Sequence, residues 1–498
     1  MPRVMGCLGN CGDGEGLLGK GVSLRRRGHI NLEYLPKWVM VSGALFFGLW
    51  WMLGLIYHWV SRDEQPVEGA ESIYLLYVDR ELRVLDLAEG AEGWPRWLYG
   101  YEEGEETVDE ALESLRKTLE EGARRELLGA EGHQGRVILA LRAGDKEAAR
   151  LAYGPECLNG TAVADVLEQL MGKGVPEKEA VDELAAVVWS GSVYAWEPWL
   201  LRHADGLTGG HLAREGIYQT YNLQNERMAE RVLPWNLAMV VLTLMGIGLI
   251  PLMTWKFCRE PVRREARVLS IWGVSVVFTA FFGAGVAADQ GYQYLWLILT
   301  GLPFNLNDWQ WNLVLLFADA VWRIFPVVLI SVTLFSNPMQ LWRSFRLGGA
   351  PALLLVAGTV GGLWLWHWVS YTLMGDEVLV DPTDFLNAAT TDWSTMLYVV
   401  VSGCILAPVT EEIMYRGLLF LGLRRHTGPW VAMAVSTVLF AMSHWQYDLA
   451  GMISVGVMGL ASAVLVWRTG SLLPSIILHV AFNLLITFGS YISYQWPV

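Results

Sequence analysis

Nine apolar runs, each close to the length that crosses a hydrocarbon core, punctuate this chain and fix what it can become. They fall at about 38–60, 233–255, 268–288, 312–334, 350–372, 394–410, 429–445, 450–467 and 472–493. A backbone immersed in lipid must satisfy its own N–H and C=O groups, and the helix does so within one segment. The expected fold is therefore all-α: a polytopic transmembrane helical bundle of about nine spans.

Charge is distributed to match. The chain is 53% hydrophobic and only 17% charged, against roughly 25% charged in soluble domains. Nearly all of the acidic excess behind the net charge of −14 lies between Arg62 and Arg231. That stretch reads as a soluble helical domain inserted after the first span. The chain divides into a tail (1–37), a first anchor (38–60), the insert (61–231), a membrane region (232–390) and a final membrane region (391–498). Basic residues orient the spans. Arg25, Arg26 and Arg27 precede the first run, and Lys256, Arg259, Arg263, Arg264 and Arg267 share one later loop. Arg343 and Arg346, then Arg424, Arg425 and Arg468, fall on the same side, whereas Asp376, Glu377, Asp381 and Asp384 fall on the other. The N-terminus is expected in the cytoplasm, the insert outside, and the whole as a multi-pass protein of a cell membrane, the bacterial inner membrane. The lipid bilayer is one partner. Nucleic acid is not, because no basic stripe is present for phosphate contacts. Five cysteines form no disulfide framework.

The insert carries helical periodicity. Leu112, Leu115 and Leu119 share one face, as do Val163, Val166, Leu167, Leu170 and Met171. Gly144-Asp145 marks a turn between two helices, and Pro176 precedes a helix presenting Val181, Leu184, Ala185 and Val188 together. Such a domain can pack on itself alone or offer a face to a protein partner.

Ionisable residues inside apolar spans are costly and usually mark function. Three patterns concentrate near the C-terminal end: Glu411-Glu412-Ile-Met-Tyr415-Arg416, then Phe440-Ala-Met-Ser-His444, then His479-Val-Ala-Phe-Asn483. Residues four apart share a helix face, so Glu412 can pair with Arg416. Glu411, about 100° around the helix, is left to face a cavity. The set offers a carboxylate, two imidazoles and a carboxamide. Peptide hydrolysis needs a base for water, donors for the oxyanion and an acid for the leaving amine. The same Glu411, His444 and His479 also suit a divalent, zinc-like metal.

Together the three motifs resemble the CPBP family, which includes the type II CAAX prenyl endopeptidases and bacteriocin-processing enzymes. The resemblance covers about residues 395–495. It implies an intramembrane endopeptidase, metal-dependent or not, acting on a membrane-embedded or membrane-associated peptide. It further implies that Glu411 activates the water, that His444 assists with the water or a metal, and that His479 with Asn483 stabilises the oxyanion. Glu412 and Arg416 would hold the helix that carries Glu411. The alternative is a non-catalytic membrane scaffold or self-immunity factor of the same fold. A transporter is a third reading, though the chain has neither the inverted repeat nor the broken-helix pair of transporter sites.

Overall fold

The computed structural model describes residues 36–61, 70–90, 105–124, 128–190, 194–210, 219–259, 273–301, 306–334, 350–374, 393–444, 447 and 449–494. Every regular element among them is helical. Arg25–Arg27, the loop basic residues 263–267 and 343–346, and the acidic loop residues 376–384 lie outside the described residues.

The first helix, α1 (Lys37–Ser61), is followed by seven shorter helices: α2 (Ala70–Gly90), α3 (Glu105–Arg124), α4 (Ala130–Arg142), α5 (Lys146–Ala152), α6 (Ala162–Lys173), α7 (Lys178–Ser190) and α8 (Trp196–Leu207). These form the inserted domain. Local chemistry sets their ends. Gly144 takes a positive φ of 75°, and the Asp145 side chain then accepts from the Ala148 N–H to cap α5. Thr161 caps α6 in the same way, and Gly174 closes it in the left-handed conformation. Leu112, Leu115, Leu119, Val163, Val166, Leu167, Leu170, Val181, Leu184, Ala185 and Val188 all enter one apolar core, with Met171 packed at its edge. Each stripe expected from the sequence is thus a buried face.

The remaining helices build the membrane bundle: α9 (Gln219–Arg259), α10 (Val274–Gly301), α11 (Asp308–Leu334), α12 (Ala350–Met374), α13 (Trp393–Thr427), α14 (Pro429–Met442), α15 (Leu449–Thr469) and α16 (Leu473–Tyr494). Among the described residues seven helices are long and apolar enough to cross a membrane, with shorter apolar stretches at Leu353–His367 and Pro429–Met442. Leu45, Phe46, Leu49, Leu244 and Leu297 point outward, as a lipid-facing surface requires. Small residues bring helices close. A Cβ added at Gly246 on α9 would lie 2.5 Å from the Gly361 backbone on α12. Thr279 of α10 donates to the Met40 carbonyl of α1 at 2.7 Å.

Some boundaries differ from those expected. The third span is not 268–288 but α10, which runs on to Gly301. Its polar stretch Asp289-Gln290 is absorbed within the helix, where Gln293 donates back to Asp289 at 3.2 Å. The sixth span does not stop at 410. It continues through Glu411 and Arg416 to Thr427 as one 35-residue helical segment. The expected boundary at 231 falls inside α9, which runs unbroken from the insert into the bundle. The two bodies meet there: Val84, Met228 and Val232 are buried together, with Leu87, Leu233 and Ile492 packed on them.

Candidate active site

Helix α13 is wound unevenly, and the site follows from that. Two of its segments, Val399–Leu406 and Glu412–Phe420, have π-helical winding, a feature frequent at functional sites. The first has a local cause in Pro408, which has no N–H to donate and whose ring crowds the preceding turn. The Ala407 N–H reaches back five residues to the Ser402 carbonyl. In that register the next carbonyl, Gly403, should receive the missing N–H of Pro408. It receives the Asn483 carboxamide instead, at 3.0 Å. Asn483 therefore joins α16 to α13 at Gly403, eight residues before Glu411.

The second segment turns the two glutamates apart. Glu412 is fully buried, with Arg416 Nη1 3.2 Å from its Oε1 and both side chains at 0% exposure. The Arg416 guanidinium lies 4.2 Å above the Phe440 ring, a face that attracts a cation. Room for it comes from Gly459 on α15, where a Cβ would stand 2.9 Å from Arg416 Nη2 and from the Phe440 ring. Glu411 keeps 23% of its side chain exposed and approaches His479 Nε2 at 3.8 Å.

His479 lies between the two carboxylates. Its Nδ1 is 3.1 Å from Glu412 Oε1. Because a carboxylate only accepts, Nδ1 donates, and Nε2 is the atom turned to Glu411. His444 sits two residues beyond α14. Its Nδ1 is 2.8 Å from the Phe440 carbonyl, which also accepts the Ser443 hydroxyl at 2.7 Å. A carbonyl cannot donate, so the proton is on Nδ1 and the lone pair is on Nε2. The Phe440 ring packs on both imidazoles, with centroids 4.7 Å from His444 and 5.8 Å from His479. Glu411, Glu412, Arg416, His444 and His479 thus occupy one locality, while Asn483 is turned toward the Gly403 backbone.

Two residues of the site escaped the motif reading. Asp319 and Arg323, four apart on α11, pair at 2.8 Å. Arg323 Nη1 lies 3.8 Å from Glu411 Oε1. Their signal was present in the sequence, since an Asp and an Arg at helical spacing inside the run 312–334 obey the rule that singled out Glu412 and Arg416. Among the described residues no three His, Cys, Asp or Glu side chains gather into a metal-holding group. One flank of Glu411 already faces a guanidinium.

Residues 393–485 match the family model of the Rce1-like type II CAAX prenyl endopeptidases. The segment runs from the start of α13 into α16 and contains every residue of the three motifs. No curated protein and no solved structure matches the chain.

Proposed function

From the Rce1-like domain at residues 393–485, we propose that this protein is an intramembrane endopeptidase that hydrolyses a peptide bond of a membrane-associated substrate with water activated by Glu411. The observation that carries the reading is the division of labour between adjacent carboxylates: Glu412 is sealed against Arg416, whereas Glu411 is open and faces His479.

The reaction proceeds in steps that these residues can perform. Glu411 takes a proton from water while the Nε2 lone pair of His444 accepts the water's second hydrogen and orients it. The hydroxide attacks the scissile carbonyl carbon. Negative charge on the carbonyl oxygen is met by Nε2–H of His479. Glu411 returns its proton to the leaving amine, the C–N bond breaks, and a carboxylic acid and an amine are released. Asn483 holds the Pro408 turn and so the placement of Glu411. The scheme routes no step through a metal: among the described residues no three His, Cys, Asp or Glu side chains gather into a metal-holding group, and Arg323 borders Glu411.

Purified full-length protein in lipid nanodiscs should cleave a prenylated CAAX peptide or a membrane-anchored leader-peptide reporter. Glu411→Ala should lower the rate by about 10²–10⁴-fold, the usual contribution of a positioned base. A strong chelator should leave the wild-type rate unchanged. Cleavage by the Glu411→Ala variant at the wild-type rate defeats the assignment of the base, and loss of activity on chelation restored by zinc defeats the metal-free water.

A further inference from the structure

We propose that Asp319 and Arg323 of α11, which lie outside the 393–485 segment, are positioning residues that set the carboxylate of Glu411. This rests on the reading of Glu411 as the base. The two charges lie four apart on a helix whose apolar window runs from Trp309 to Ser331, where unpaired charges are costly. Asp319 is 4% exposed. Its Oδ2 accepts from Arg323 Nε at 2.8 Å and from the Ser402 hydroxyl. Ser402 belongs to the π-wound part of α13, and Glu411 lies nine residues further along the same helix, two and a half turns. Helix α11 therefore grips α13 at two points: through Asp319 at Ser402, and through Arg323 at Glu411.

The distances divide the work. At 2.8 Å Arg323 is hydrogen-bonded to Asp319; at 3.8 Å it attracts Glu411 without forming a hydrogen bond. The Glu411 lone pairs stay available for water while its rotamer is drawn to one side. The Arg323 guanidinium carbon also lies 5.1 Å from the Trp322 ring centroid, and Tyr292 packs on Trp322 at 5.0 Å. A pair serving only to join helices would not need its cation to reach past its partner toward the reacting carboxylate. Pairs of that kind are often replaceable by apolar residues without loss.

The test uses the full-length protein with the reporter above and compares Arg323→Gln, Arg323→Lys, Asp319→Asn and the Asp319→Asn/Arg323→Gln double variant. Arg323→Gln should lower kcat on the order of 10–100-fold with KM within about twofold, as expected for a misplaced base. Arg323→Lys should recover much of the loss, because the charge remains. Asp319→Asn should lower kcat less, and the double variant should be no slower than Arg323→Gln alone. The inference is overturned if Arg323→Gln keeps kcat within about twofold of wild type, or if Lys recovers nothing. Asp319→Asn, which keeps the shape of the site, tests it even where Arg323→Gln does not fold. Glu411→Ala separates the two claims. An inactive Glu411→Ala beside a fully active Arg323→Gln sinks this inference and spares the base assignment, whereas an active Glu411→Ala sinks both.

Discussion

The inserted domain and the membrane bundle use the same helical device in opposite surroundings. On α3, Arg116 reaches Glu120 four residues on and Glu113 three residues back, at a surface open to water. On α13, Glu412 and Arg416 have the same four-residue spacing and no exposure at all. Two further pairs grade between them: Asp319–Arg323 beside the site, and Asp79–Arg83 at the base of the insert, where Arg83 also donates to Asn225 of α9. Spacing alone makes four equivalent pairs. Desolvation separates them, because a charge removed from water depends on its partner and a charge in water hardly does. The proposed site sits where that dependence is strongest, and structural solubility where it is weakest.

The largest expected effect breaks the buried end of this comparison. Arg416→Met leaves Glu412 sealed without its cation, and should cost about 3–5 kcal/mol of stability. Thermal unfolding of the purified protein would show this as a large drop in Tm. Glu412→Gln added to Arg416→Met should recover part of the loss, since no stranded charge remains. An unchanged Tm in Arg416→Met would mean that water reaches the pair and that the contrast between the regions is smaller than the geometry implies.

That contrast also explains what could be read without the structure. Helical spacing is local, so the spans, the core stripes of α3, α6 and α7, and the Glu412–Arg416 pair were all legible. The end of α10 was not, because Asp289 and Gln290 interrupt the apolar run while the helix itself continues. Asp319 and Arg323 obey the same local rule as Glu412 and Arg416 but carry no family motif, and only their position across from Glu411 gives them meaning. The place of Asn483 was further out of reach. It depends on Pro408 leaving the Gly403 carbonyl without a helical donor, and that vacancy exists only once α13 adopts its π winding.

A second, smaller effect sharpens the comparison from within the insert, where one acid is buried in the manner of the bundle. Glu197 on α8 is pushed up to about 8 by burial first, then by Glu131 and Asp79, with Arg83 acting in the opposite sense. The native state therefore holds a proton that the unfolded chain releases near the ordinary glutamate value. Because the native state binds more protons in that window, stability falls as pH rises from about 4.5 toward about 8. The slope is on the order of 1 kcal/mol per pH unit. Glu197→Gln should flatten it, raising amide protection of α8 at pH 8 relative to wild type while changing little at pH 5. Hydrogen exchange on the full-length protein reads this directly; identical pH profiles for the two proteins would place Glu197 in contact with water.

The smallest effect marks the solvated end. Arg116 is bonded to Glu113 and Glu120 at 2.8 and 2.5 Å, geometry at least as close as that of Arg416 with Glu412. Arg116→Met nevertheless should cost less than about 1 kcal/mol, because water takes over the two carboxylates when the guanidinium is gone. The methionine retains much of the aliphatic stem, so packing against the helix surface is kept. Amide exchange along α3 should then speed up by no more than about fivefold, which is what about 1 kcal/mol allows at room temperature. High salt should erase the remaining difference between variant and wild type. A loss comparable to that of Arg416→Met, or one indifferent to salt, would mean that short ion-pair distance rather than desolvation ranks these pairs, and the comparison between the two regions would have to be redrawn around geometry.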